Sequence, residues 1–221
     1  MTPLTKKYKS TGLFISRPVG IVFFLIYLFQ AVIIVWLVLA YMNHNKIIME
    51  QKEKIKELEE KVKILDIIEE YQIGFNNNEV IELTNVLYEE SQKFGIDPLL
   101  ILAVIISESS FKRYQRSEMG AEGLMQVMPS VGADVASKWG IKLDKTQDLH
   151  NAGLNVKVGT AYLFELILKF KDVKKAIIAY NIGEGVTKEY MLYQAALPLK
   201  YFKKVEKVYR QLRSRHHPNE D

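Results

Sequence analysis

Three patterns of apolar and polar positions follow one another along the chain. From Val19 to Met42 there are 24 consecutive residues without a charge, dominated by Val, Ile, Leu, Phe, Tyr and Trp and interrupted only by Gly20 and Gln30. At ~1.5 Å per residue, a helix of that length covers roughly 36 Å, against a hydrocarbon core of about 30 Å. A cleaved signal peptide has a shorter apolar core and a small-x-small cleavage site. The run therefore predicts a retained transmembrane helix over 19–42. Residues 46–72 change to a Glu/Lys-rich pattern with Ile48, Ile55, Leu58, Val62 and Leu65 at heptad spacing, which predicts a helical stalk over 43–76 and permits a coiled-coil homodimer. A lone solvated helix held by Glu50–Lys54 and Glu57–Lys61 pairs fits the same residues. Gly74 and Asn76-Asn77-Asn78 end the stalk, because Gly and Asn favour turns and caps.

The third zone, 77–215, carries helical periodicity almost throughout. Asn78 is placed to cap a helix that runs to Phe94 and stops at Gly95. Asp97-Pro98 sets a capping carboxylate before a first-turn proline and opens Leu99-Leu100-Ile101-Leu102-Ala103-Val104-Ile105-Ile106, apolar on every face and so expected at the centre of the domain. Further helices are predicted over 130–139, 152–170, 173–181 and 199–213, with no period-2 strand pair. The expected class is mostly α, and a tail over 216–221 closes the chain.

Composition and charge narrow the function classes. With 221 residues and no cysteine, the chain allows one ordinary domain with attachments and excludes a disulfide framework, a Cys-based zinc site and a thiol nucleophile. The net charge of +4 comes from the tail over 1–18, which holds Lys6, Lys7, Lys9 and Arg17 and no acid. The remainder is neutral overall, which disfavours a nucleic-acid-binding domain. Because positive charge tends to stay cytoplasmic, the tail predicts a single-pass, N-in/C-out protein of a bacterial inner membrane, with the domain in the periplasm or cell-wall space. A later basic run, Lys200, Lys203, Lys204, Lys207, Arg210, Arg213 and Arg215, reads as a solvated helix face or as a contact for anionic wall polymer or lipid headgroups. His150, His216 and His217 have no metal-ligand spacing, so neither metal nor cofactor is expected.

The apolar helix delivers Ser107-Glu108-Ser109-Ser110. A carboxyl at the end of such a helix is partly desolvated, which raises its proton affinity and suits it to protonate a leaving oxygen. A solvent-facing helix end fits the same residue. In the segment Ser117-Glu118-Met119-Gly120-Ala121-Glu122-Gly123-Leu124-Met125-Gln126-Val127-Met128-Pro129, Gln126 and Met128 fall on one side if the chain is extended, and an amide beside a thioether suits a sugar's acetamido and apolar faces. A packed turn with a buried Met fits it too. Glu118 and Glu122 remain open as water-activating bases, Asp97 is taken up in capping, and Tyr162, Phe164 and Phe170 are assigned to the core.

These residues resemble the soluble-lytic-transglycosylase type catalytic domain, related in fold to goose-type lysozyme. The resemblance rests on Glu108-Ser109-Ser110-Phe111, Ser117, the run Gly120 to Pro129, Asn151 and Asn155 leading into Gly159 and Tyr162-Leu163, and Ala179-Tyr180-Asn181-x-Gly183. It covers about residues 84–210. It implies a lysozyme-like helical domain in which Glu108 is the sole acid/base, cleaving the β-1,4 bond between N-acetylmuramic acid and N-acetylglucosamine in peptidoglycan strands and leaving a 1,6-anhydromuramic end. It also implies that Ser117, Gln126 and Met128 hold the sugar and that Tyr180 and Asn181 close the cleft.

Two departures stand out. Asn151 is followed by Ala152 where the family usually has Pro, and Leu197-Pro198-Leu199-Lys200-Tyr201 lacks the Glu-Thr pair that often precedes the Tyr. The rival readings are a hydrolytic muramidase, a peptidoglycan-binding scaffold that does not cut, and a membrane-tethered coiled-coil adaptor.

Overall fold

The computed structural model describes residues 17–143 and 146–216. Most of the two terminal tails expected from the sequence lies outside them. The chain divides into two compact units, one ending at Lys56 and the other beginning at Glu57. The stretches read from the sequence as anchor and stalk lie in one uninterrupted helix, α1 (Arg17–Tyr71). Its first part is the one helix among the described residues that is long and apolar enough to cross a membrane, and none of that apolar stretch is buried by protein.

The second unit takes in the end of α1, whose Ile64, Ile67 and Ile68 join its core. Of the heptad positions read from the sequence, Leu65 packs against that core, whereas Ile55, Leu58 and Val62 are exposed. Helix α2 (Asn77–Phe94) starts one turn after α1. Its cap is Asn76 rather than Asn78: the Asn76 side chain accepts from the Glu79 amide at 3.1 Å, and the Glu79 carboxylate accepts from the Asn76 amide at 3.0 Å. This reciprocal pair satisfies two amides the helix start leaves open, and only Asn76 has a Glu three residues on. Gly95, in the left-handed region, stops the helix.

Helix α3 (Pro98–Ser109) is capped by Asp97, which accepts from the Leu99 amide at 2.8 Å. It is buried at Leu99 and from Ile101 to Ile105, as its all-round apolar pattern requires. α4 (Pro129–Trp139), a 3-10 turn (Thr146–His150), α5 (Ala152–Phe170) and α6 (Val173–Ile182) follow. Asn151 caps α5 and Asp172 caps α6. A short helix, α7 (Glu184–Leu192), was not expected; the pair Gly183 and Gly185 reads as a break, but only Gly183, at φ 90°, turns the chain, and the helix restarts at the next residue. α8 (Lys200–His216) packs along α3 through buried Val205 and Leu212, leaving its basic residues exposed. No strand forms among the described residues; isolated bridges join Arg116 to Glu122 and Glu122 to Val127.

Candidate active site

Packing α3 against α8 decides the surroundings of Glu108. The carboxyl is half-buried at the last turn of α3, and Tyr201, in the first turn of α8, donates its phenolic hydrogen to Glu108 Oε1 at 2.5 Å. One turn further along α8, Lys204 Nζ donates to the carbonyl of Ser107. Burial pushes the Glu108 carboxyl above its ordinary range, while the Tyr201 hydrogen bond and the Lys204 charge pull the other way. The phenols of Tyr201 and Tyr180 are both held well above the ordinary tyrosine value, first by burial and then by the neighbouring Glu108 charge. Both therefore stay protonated donors at neutral pH.

After the acid the chain reverses sharply. Ser110 (φ 50°) and Phe111 (φ 58°) are successive non-glycine residues in the left-handed region, a costly arrangement held by the fully buried Phe111 ring. The loop from Lys112 to Met128 is closed by its own polar groups. Ser117 Oγ accepts from the Ala121 amide at 2.9 Å, and Gln126 Nε2 donates to the carbonyls of Gln115 at 3.0 Å and Gly123 at 2.9 Å. Gln126 is left-handed (φ 48°), so the segment is not extended there.

Asn155 of α5 ties this loop to the core. Its Oδ1 accepts from the Met125 amide at 2.7 Å, and its Nδ2 donates to the carbonyls of Glu122 at 2.8 Å and Leu149 at 3.0 Å. The loop passes so close that a Cβ on Gly123 (φ +79°) would stand 2.3 Å from Asn155 Nδ2.

A groove of about 260 Å³ opens between this loop and α5–α6. Gln126, Met128, Tyr180 and Asn181, four of the six residues singled out from the sequence, line it together, with Met119, Val131 and Tyr162 among the others. Tyr180 donates its hydroxyl to the Met125 carbonyl at 2.8 Å and so fastens one wall to the other. Glu108 is not among the lining residues, though its charge adds to the raised proton affinity of Tyr180, which is. Ser117 is not among them either, its oxygen being engaged in the turn. Tyr162, expected as core alone, packs on the core and also faces the groove. Glu122, left open as a water-activating base, is buried at 4% exposure, with Arg116 and His150 each 3.7 Å away. Among the described residues, no Asp or Glu lines the groove. A wider recess of about 430 Å³ lies at the opposite end of α3, beside Asp97 and Tyr209, and holds none of the motif residues.

A helical core that holds Glu108 half-buried behind a groove of amide, thioether and phenol side chains defines the class of fold. Comparison with known proteins agrees. The Transglycosylase SLT domain family matches residues 85–202, more than half of the chain, and the chain belongs to that family. It is 34% identical over 110 residues to a membrane-bound lytic murein transglycosylase E of Buchnera aphidicola, covering 48% of this chain and 47% of that protein. It is 43% identical over 109 residues to a membrane-bound lytic murein transglycosylase C of Cronobacter sakazakii, covering 44% of this chain and 30% of that one. The chain thus spans less than half the length of these curated relatives. The 70-kDa soluble lytic transglycosylase of Escherichia coli superposes with a TM-score of 0.56 at 20% identity, over 68% of this chain and 26% of that one, a likeness of fold.

Proposed function

We propose that the chain is a membrane-anchored lytic transglycosylase that cuts the β-1,4 bond between N-acetylmuramic acid and N-acetylglucosamine in peptidoglycan. Glu108 gives its proton to the bridging oxygen as the bond from that oxygen to the anomeric carbon breaks. The muramic acid's own 6-hydroxyl oxygen then bonds to the anomeric carbon and returns its proton to Glu108, leaving a 1,6-anhydro end. One carboxyl serves both transfers, which fits a groove that no Asp or Glu lines among the described residues; a hydrolase that positions water ordinarily needs a pair. The observation that carries the reading is Glu108 itself, half-buried, raised in proton affinity by burial and held by Tyr201 at 2.5 Å. Gln126, Met128, Tyr180 and Asn181 seat the acetamido sugar, and Ser117 supports that wall through its turn. Residues 19–42 cross the inner membrane N-in/C-out, the second unit works on glycan strands in the periplasm or cell-wall space, and the stalk heptads add a homodimer.

The test is to incubate the full chain with peptidoglycan and weigh the soluble fragments. Products lighter by one water than hydrolytic fragments support the proposal, and reducing ends that accept borohydride make the enzyme a muramidase. Glu108→Gln removes the acid without changing shape and is expected to cost at least about 100-fold in release. Binding without release by the wild type would make the protein a scaffold.

A further inference from the structure

Methionines cluster around the groove, and their surroundings differ. Met119 and Met128 both line it. Met119 is 85% exposed and Met128 38%, whereas Met125, between them in the chain, is fully buried. Met125 lies beneath the loop on α5, where Gly159 leaves room for its sulfur and Thr160 Oγ1 lies 3.8 Å from Sδ. The other described methionines, Met42, Met49 and Met191, are exposed but do not line the groove.

The chain has no cysteine, so no thiol competes for an oxidant and the thioethers stand as its readily oxidised sulfurs. A hydroperoxide reacts with such a sulfur directly. The sulfur lone pair takes one peroxide oxygen, the O–O bond breaks, the sulfur is oxidised by two electrons, and hydrogen peroxide is reduced to water. Exposure selects Met119 and Met128 for this reaction over Met125. The product is a polar sulfoxide where the groove held an apolar sulfur. Two donors in the groove's walls are already committed: Gln126 Nε2 donates to the carbonyls of Gln115 and Gly123, and Tyr180 donates to that of Met125. The new oxygen is therefore left chiefly to water, which the apolar face of a sugar must displace at a cost.

We propose that Met119 and Met128 form a reversible oxidation site through which hydroperoxides weaken glycan binding. This rests on the reading of the groove as the seat of the sugar. Reversal falls to a thiol-dependent methionine sulfoxide reductase: two thiols give up their hydrogens, the sulfoxide oxygen leaves as water, the thiol sulfurs join as a disulfide and the thioether is restored.

The test uses the full chain in detergent micelles, treated with hydrogen peroxide, then digested and weighed. Binding is followed by co-sedimentation of the Glu108→Gln form with insoluble peptidoglycan, and KM by fragment release from the wild type. The expected result is oxygen uptake at Met119 and Met128 before Met125, with affinity lower and KM higher by about tenfold. Adding the two reductases, one for each sulfoxide epimer, should restore both. The double variant Met119→Leu, Met128→Leu keeps apolar side chains of similar volume without the sulfur. Compared with its own untreated sample, it should hold its affinity through the treatment, while Met191→Leu stays as sensitive as wild type. An equal loss in the double variant, full oxidation at 119 and 128 with no loss, or Met125 reacting as fast as either, overturns the proposal. An untreated chain that binds and cuts glycan yet is indifferent to peroxide sinks this proposal alone, whereas one that neither binds nor cuts sinks the reading of the groove and the proposal with it.

Discussion

Glu108 stands between opposing influences, and its chemistry depends on their balance. Burial favours the neutral acid, while the Tyr201 hydroxyl and the Lys204 ammonium favour the carboxylate. In the role proposed for it Glu108 must hold its proton before the bond breaks, so activity is expected to fall on the alkaline side as it ionises. Lys204→Met removes a stabilising charge from the carboxylate, and the alkaline limb of kcat/KM should move to higher pH; Lys204→Arg should return it towards wild type. Tyr201→Phe should move the limb in the same direction, and profiles of the three variants check both. The same shift bears on stability. The folded state holds the Glu108 proton more tightly than the unfolded chain, so the stability tied to it is full below the ordinary value of 4.5 and is lost as pH rises through the raised value. Glu108→Gln should therefore melt above wild type at pH 7, with the difference closing below 4.5, as a thermal series across pH would show. The setting of Glu108 was legible from the apolar run before it. Tyr201 and Lys204 were not legible as its partners, being 93 residues from Glu108 and 97 from Ser107 respectively.

At the scale of elements, the loop from Lys112 to Met128 has little regular structure of its own and depends on α5 beneath it. Asn155 supplies three hydrogen bonds to that loop and its surroundings. Asn155→Ala leaves one amide and two carbonyls without partners and should cost about 3 kcal/mol, read as a shift in the denaturation midpoint at constant slope. Gly159 lets the loop settle on α5, since a Cβ there would stand 2.6 Å from Met125 Sδ and 2.8 Å from Met125 Cβ. Gly159→Ala should cost roughly 1–3 kcal/mol by overpacking and also lower activity, because Met125 offers the carbonyl that Tyr180 holds. The helices were largely readable because caps and apolar period are local: Asp97-Pro98, Asn151 and Gly95 mark their ends in the residues themselves. The exceptions have local causes too. The cap fell on Asn76 because Glu79 completes its box, and α7 was hidden by two glycines of which only Gly183 redirects the chain.

At the scale of the whole molecule, the uncharged stretch of α1 and the polar second unit make different demands on their surroundings. The second unit closes its core with residues from Ile64 onward, so a chain lacking residues 1–42 retains every residue of that core. Such a chain should leave the membrane fraction yet cleave soluble glycan at close to the full-length rate; a large loss of rate in solution would show that the first unit does more than tether. Much of this organisation was set by sequence alone. The uncharged span, the helical class and the order of the motif residues depend on hydropathy, capping and residue type, which act over a few neighbours. Tertiary structure alone decided which of those residues meet. It brought Tyr201 to Glu108, set Gln126, Met128, Tyr180 and Asn181 around one groove, turned the Ser117 oxygen into its own loop and buried Glu122 with Arg116 and His150. The physical reason is that these contacts form only when α3, α5, α6 and α8 close around a shared core, and no local pattern records how distant helices pack.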